Sequence, residues 1–322
     1  MSQGSINRRQ FIQSGAVVGG ALAATTSASA KEPKKKYQNK KSPWPVVLNA
    51  STIRKSPAAD PTPALEKIRV AAEAGYDGIE LWMNDLEELE KGGNKLSDVA
   101  KEIKDRGLFV PNVIGLWDGM PATQEEWEKS LTVTRDRMRM VSEVGSLHVA
   151  ALPFPDRENF DLAWATDRYR DLLRIGRDDY DIKVTMEFIG FLKGLNRLGE
   201  ACCIAIDSDE PSATVLPDTF HLFRGGSGFN GIRHLQPELI SDFHWNDVPA
   251  TPGQFELRDR DRVMPGDGIL PLTQCLKDLY AIGYTGPLSL EIFNEEYWKL
   301  EPKETARIGL EKMLANIATA FA

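Results

Sequence analysis

The chain has 322 residues, 42% hydrophobic and 27% charged, with 47 acidic against 39 basic side chains and a formal net charge of −8. Such a length buries a large core without disulfide staples, and three cysteines, Cys202, Cys203 and Cys275, make no spaced, even-numbered framework. The acidic balance argues against a polyanion-binding surface, so no nucleic-acid partner is expected.

Residues 1–30 read as an export signal. Asn7-Arg8-Arg9-Gln10-Phe11-Ile12 sets paired arginines ahead of an apolar stretch from Gly15 to Ala24, and Ala28-Ser29-Ala30 supplies small residues for cleavage before Lys31. The order is that of a twin-arginine signal, which predicts an exported, periplasmic protein. The apolar stretch falls well short of the roughly 20 residues of a membrane span, so no stable span is expected once the signal is removed. Residues 31–44 form a basic linker whose KEPKKKYQNKKS run reads as a solvated tether.

From residue 45 onward, short apolar runs alternate with amphipathic helical patterns. The predicted strands are VVLNA (46–50), GIELW (78–82), VPNVIG (110–115), HVAAL (148–152), VTMEF (184–188), TVLPD (214–218), LISDFH (239–244) and LSLEIF (288–293). Among the helices between them are 63–75, 96–107, 125–145 and 269–283, each closing on a glycine (Gly75, Gly107, Gly145, Gly283) suited to a left-handed cap. Eight such units predict an α/β fold, a single-domain (β/α)8 TIM barrel over residues 45–322. A doubly wound open sheet is the competitor, but no GxGxxG follows the first strand. Two long segments interrupt the rhythm, the Gly-rich 224–236 and 246–268, and are read as active-site loops. The first lacks the Lys-Ser/Thr of a phosphate-binding P-loop.

The last four strands each end in, or run into, a side chain with metal-ligand chemistry: Glu187, Asp218, His244 and Glu291. Ligands at the C-terminal ends of parallel strands converge on one face of a barrel, and three carboxylates with one neutral imidazole suit Mn²⁺ or Mg²⁺, with Co²⁺ or Zn²⁺ as alternatives. Each residue also has a bland reading. Glu187 could bridge two strand ends in an ion pair, Asp218 in a Pro-Asp pair could simply start a helix, and a lone histidine usually packs. His221 follows Asp218 at +3, close enough to address whatever the metal holds. Arg262 opens a rigid Pro265-Gly266 turn that can aim a guanidinium at an anion, but Arg258 and Arg260 compete with it on pattern alone. Cys275 is expected to pack on a helix. His148 is assigned to the start of a strand on the stability face, and His234 to a loop.

These elements together resemble the sugar phosphate isomerase/epimerase group of the xylose isomerase-like TIM barrel superfamily, over roughly residues 45 to 320. The resemblance rests on GYDGIEL (75–81), the carboxylate of TMEF, the Asp-x-x-His of PDTFHL, the histidine of DFHWND, the Arg-x-x-Pro-Gly-Asp-Gly turn and GYTGPLSLE (283–291), in that order. It implies that Glu187, Asp218, His244 and Glu291 ligate one divalent metal, that His221 and Arg262 contact the substrate, and that Arg262 is preferred to its two neighbours. The stretch between His244 and Arg262 is longer than in small members of the group, which predicts a substrate-specific lid.

The expected chemistry is proton transfer through an enediolate. Glu187 and Glu291 act as base and acid on opposite faces of a metal-polarised hydroxy-ketone, with His221 and Arg262 stabilising the charged oxygen. Isomerisation or epimerisation of a non-phosphorylated ketose or keto-sugar is the first reading, since sugar phosphates are mostly cytosolic. Elimination of a β substituent from a keto-sugar, cyclitol or keto-glycoside is the second, and a non-catalytic sugar-binding barrel the third. An abasic-site endonuclease would need further histidines at the early strand ends, which GIELW and VIGLW lack. The sequence leaves homo-oligomer assembly open.

Overall fold

The computed structural model describes residues 41–54 and 62–322. The expected export signal and the linker up to residue 40 lie outside the described residues. None of the described helices is long and apolar enough to cross a membrane.

Eight parallel strands form the wall: β1 Val46–Asn49, β2 Gly78–Trp82, β3 Asn112–Leu116, β4 His148–Ala151, β5 Lys183–Glu187, β6 Thr214–Leu216, β7 Phe243–Trp245 and β8 Leu288–Leu290. Their order, β6-β5-β4-β3-β2-β1-β8-β7, leaves one seam, between β6 and β7. Isolated parallel bridges Val215–Ile240 and Asp218–His244 draw that seam together, so the barrel is nearly closed. The chain forms these strands because Val46, Leu48, Ile79, Leu81, Val113 and Val149 are buried between the barrel interior and an outer helical layer.

Helices follow the strands: α1 Ala64–Ala74, α2 Met83–Lys91, α3 Leu96–Asp105, α4 Gln124–Glu143, α5 Leu162–Tyr180, α6 Leu198–Asp207, α7 Thr219–Arg224, α8 Leu272–Ala281, α9 Glu295–Trp298 and α10 Pro302–Ala320. In α1 the buried Ala64, Ile68 and Ala71 recur every three or four residues and make its inner face. Thr123 caps α4 through a reciprocal pair with Glu126, and Asp161 accepts from Trp164 N at 3.0 Å to start α5. The four glycines expected as left-handed caps all have positive φ, from 75° to 93°.

Three boundaries differ from the sequence reading. The seventh strand is Phe243–Trp245 rather than 239–244, because Pro237–Leu239 coils into a 3-10 turn. Pro217, which has no N–H, ends β6 at Leu216. Trp44, the last residue assigned to the linker, is fully buried, donates to Tyr284 O at 2.8 Å and packs against Phe321. Cys275 is buried on α8 as expected.

Candidate metal centre and substrate pocket

The four candidate ligands come to the C-terminal mouth of the barrel at slightly different depths. Glu187 is the last residue of β5, Asp218 lies two beyond β6, His244 is inside β7 and Glu291 is one past β8. Glu187, His244 and Glu291 present ligand atoms within 4.8 Å of one another. Asp218 Oδ2 is 3.6 Å from His244 Nδ1. Asp218 starts a helix, its Oδ1 capping α7 by accepting from Phe220 N (2.6 Å) and His221 N (3.1 Å), while Oδ2 lies on the side of the cluster.

His244 supplies the test of fit. Its Nε2 is 3.0 Å from Glu80 Oε1, and its Nδ1, wholly buried, has no hydrogen-bond partner among the described residues. Around that nitrogen stand Glu291 Oε2 at 3.1 Å, Glu187 Oε1 at 3.5 Å and Asp218 Oδ2 at 3.6 Å. A buried, unpartnered ring nitrogen facing three carboxylates, once its proton is displaced, is a donor set for a hard or borderline divalent cation, and the residues fit one.

The electrostatics agree. Burial pushes the His244 imidazole down, but Glu291 and Glu80 outweigh it and hold a proton there well above the ordinary histidine range. A field that retains a proton so firmly also attracts a metal cation. Burial, with Glu291 and Asp218 adding to it against the pull of His244, lifts Glu187 to about 7. Asp218 is held well below the usual carboxylate range, since the Arg262 guanidinium overcomes its burial.

The resemblance assigns Arg262 to the substrate; the structure also ties it to two of the candidate ligands. Arg262 Nη1 donates to Asp218 Oδ2 (2.7 Å) and Glu291 Oε2 (2.8 Å), and Nη2 donates to Asp259 Oδ1 (2.7 Å). Its guanidinium lies between the rings of Phe220 (4.6 Å) and Phe293 (5.1 Å). The turn aims it: Asp247 pairs with Val263 and accepts from the amides of Gly266, Gly268 and Leu270, and Asn294 donates to Arg262 O. Arg258 and Arg260 are exposed.

His221 is buried, and burial lowers it to about 4, so it is neutral. Its Nδ1 accepts from Gly190 N at 3.1 Å, which places the single ring proton on Nε2. Arg262 Nη2, 3.3 Å from that Nε2, is also a donor, so the two groups can converge on one shared acceptor.

Glu187, His221, Arg262 and Glu291 line a cavity of about 170 Å³ whose other wall is apolar, with Trp82, Ile114, Trp117, Leu152 and Phe154. Trp82 packs on Trp117 at 5.3 Å and is anchored by Nε1 donating to Asn49 Oδ1 at 2.8 Å. A larger cleft of about 420 Å³ beside α4 contains none of the candidate residues. The sequence reading passed over the polar groups beneath the site. Glu80, Asn49, Asn112 and Ser289 are fully buried, and Asn246 donates to both oxygens of Asp218. Glu80, flanked by Ile79 and Leu81, is like Glu187 a carboxylate in a buried strand that requires partners, but it lies inside its strand rather than at the end.

The family model described as xylose isomerase-like TIM barrel matches residues 68–316. Among curated proteins, the chain is 30% identical over 145 residues to inosose isomerase of Bacillus licheniformis, covering 45% of this chain and 52% of that protein. It is 25% identical over 251 residues to 3-dehydroshikimate dehydratase of Pseudomonas putida, covering 77% of this chain and 39% of that protein. These alignments thus span about half of the first relative and less of the second. Among solved structures, the crystal structure of IOLI protein with a binding zinc atom superposes with a TM-score of 0.75 at 22% identity, covering 86% of this chain and 99% of that one. That likeness is one of fold.

Proposed function

This chain belongs to the xylose isomerase-like TIM barrel family, and from that premise we propose that it is a divalent-metal-dependent isomerase or epimerase of a non-phosphorylated ketose or keto-sugar. The observation that carries the reading is the unpartnered Nδ1 of His244 facing Glu187, Asp218 and Glu291 at the mouth of the barrel. Those four residues would hold the cation, with Mn²⁺ or Mg²⁺ first and Co²⁺ or Zn²⁺ as alternatives. When bound, a divalent cation supplies Lewis acidity that makes a C–H beside a carbonyl easier to deprotonate.

The chain's own groups then divide the work. Glu187 exchanges a proton with carbon on one face of the substrate. Glu291, paired with Arg262, serves the opposite face. His221 Nε2–H and Arg262 Nη2 donate to the substrate oxygen that gains charge. The aromatic wall receives the C–H face of a sugar ring and excludes water. A phosphate is disfavoured because Arg262, the one arginine lining the pocket among the described residues, is already engaged by three carboxylates. Export on the twin-arginine route belongs to the same proposal, since sugars outside the cytosol are mostly unphosphorylated.

A second reading, elimination of a β substituent from the same carbanion, is favoured by the dehydratase similarity over 77% of the chain. Incubating the Mn²⁺-loaded protein in D₂O with a panel of ketoses, keto-glycosides and cyclitol ketones, read by NMR, separates the two. Deuterium entry without bond loss supports isomerisation or epimerisation, and loss of a β substituent supports the lyase. Neither label nor turnover across the panel would leave only a sugar-binding barrel. Glu187→Gln at saturating Mn²⁺ should slow deuterium entry about 100-fold or more.

A further inference from the structure

Glu80 sits on β2, in contact with the candidate ligand His244, and its carboxylate gathers polar partners from four other strands. Oε1 accepts from Asn112 Nδ2 of β3 at 2.8 Å and meets His244 Nε2 of β7 at 3.0 Å. Oε2 accepts from Asn49 Nδ2 of β1 at 2.8 Å and from Ser289 Oγ of β8 at 2.6 Å. Asn49 is the register partner of Glu80 and Ser289 that of His244; all four side chains are buried, and the other three converge on the Glu80 carboxylate. Each carboxylate oxygen carries two contacts and the residue is fully buried, so the group has no room to turn.

We propose that Glu80 is the positioning residue of the metal centre: by accepting the Nε2 proton of His244 it fixes the ring's orientation and tautomer, making Nδ1 the nitrogen that binds the cation. The inference rests on the metal reading above but assigns a role to a residue outside it. The geometry supports it from both ends of the ring. Nε2 is occupied by a carboxylate that itself needs a donor, while Nδ1 is the unpartnered nitrogen turned toward Glu187, Asp218 and Glu291. An imidazole free to flip would offer the cluster either nitrogen or a proton. A carboxylate–histidine pair removes that freedom, and such outer partners typically contribute about 10- to 100-fold to metal affinity.

The test uses the whole protein and Zn²⁺, a diamagnetic probe. Zn²⁺ affinity is measured by chelator competition in wild type, Glu80→Gln and Ser289→Ala, and the ¹⁵N-labelled Zn²⁺ form of each is examined by NMR. The His244 signals are assigned by their loss in His244→Asn. Wild type should show Nε2 protonated and Nδ1 bound. Glu80→Gln should bind Zn²⁺ about 10- to 100-fold more weakly, with the Nε2–H resonance shifted and circular dichroism unchanged. If Glu80→Gln does not fold, Ser289→Ala carries the test, since it removes one donor to Glu80 and leaves the charge. A smaller but measurable loss of affinity supports the role, and unchanged affinity with an unmoved Nε2–H signal overturns it. Binding through Nε2 in wild type, or a Glu80→Gln protein within twofold of wild type, overturns it as well. A wild type that takes up no Zn²⁺, Mn²⁺ or Mg²⁺ brings down the metal reading and this inference together, an outcome distinct from the variant results.

Discussion

His148 and His244 carry the same imidazole into opposite surroundings. His148 opens β4 near the floor of the barrel, its Nδ1 3.1 Å from Pro111 O, and burial holds it down to about 4. As pH falls below the ordinary histidine value of about 6.5, the unfolded chain binds a proton that the folded ring refuses until about 4. Stability is therefore lost as pH drops through that window, by about 3 kcal/mol for this one group. His148→Gln should flatten the acid limb by about that amount in urea titrations at pH 7, 5 and 4; parallel limbs would refute the assignment. His221, also held to about 4, adds slope of the same sign to both proteins and cancels in the comparison. The legibility of single residues followed chemistry at strand ends. Glu187, Asp218, His244 and Glu291 were readable because a polar side chain terminated an apolar run. Glu80, Asn49 and Asn112 were not singled out, because one polar residue inside such a run leaves the strand pattern intact and its partners are remote in sequence.

At the scale of elements, the turn from Arg262 to Gly268 shows how little backbone freedom aims the guanidinium. A Cβ on Gly268 would lie 2.1 Å from Val248 O and 2.4 Å from Asp247 Oδ1, so nothing larger than glycine fits without moving the Asp247 cradle. Gly268→Ala should destabilise the protein by about 1–3 kcal/mol in urea unfolding and raise KM through a misplaced Arg262. An unchanged KM alongside lost stability would separate the turn from the site. The eight strands and the capped helices were legible because buried parallel strands are apolar throughout and glycine marks helix ends. The seventh strand was misplaced because Leu239 and Ile240 give a 3-10 turn the same hydropathy as a short strand. Helix α2 starts directly after Trp82, with no turn residues between it and β2.

Across the whole molecule, the ladder is weakest between β6 and β7, strands of three residues each joined only by isolated bridges. One of those bridges pairs Asp218 with His244, two of the four candidate ligands. A cation held there at 100 times its Kd should add about 2.7 kcal/mol and raise Tm by roughly 5 °C or more. Thermal melts with Mn²⁺ and with excess chelator check this, and hydrogen exchange should report the added protection in peptides covering 214–218 and 240–245. Equal melting points would argue against a shared cation. The position of the seam also links two rates. If the ion ties the two edges of the wall together, its escape requires the same breathing motion that exposes those amides, so metal residence time and the lifetime of the closed ring become one kinetic quantity.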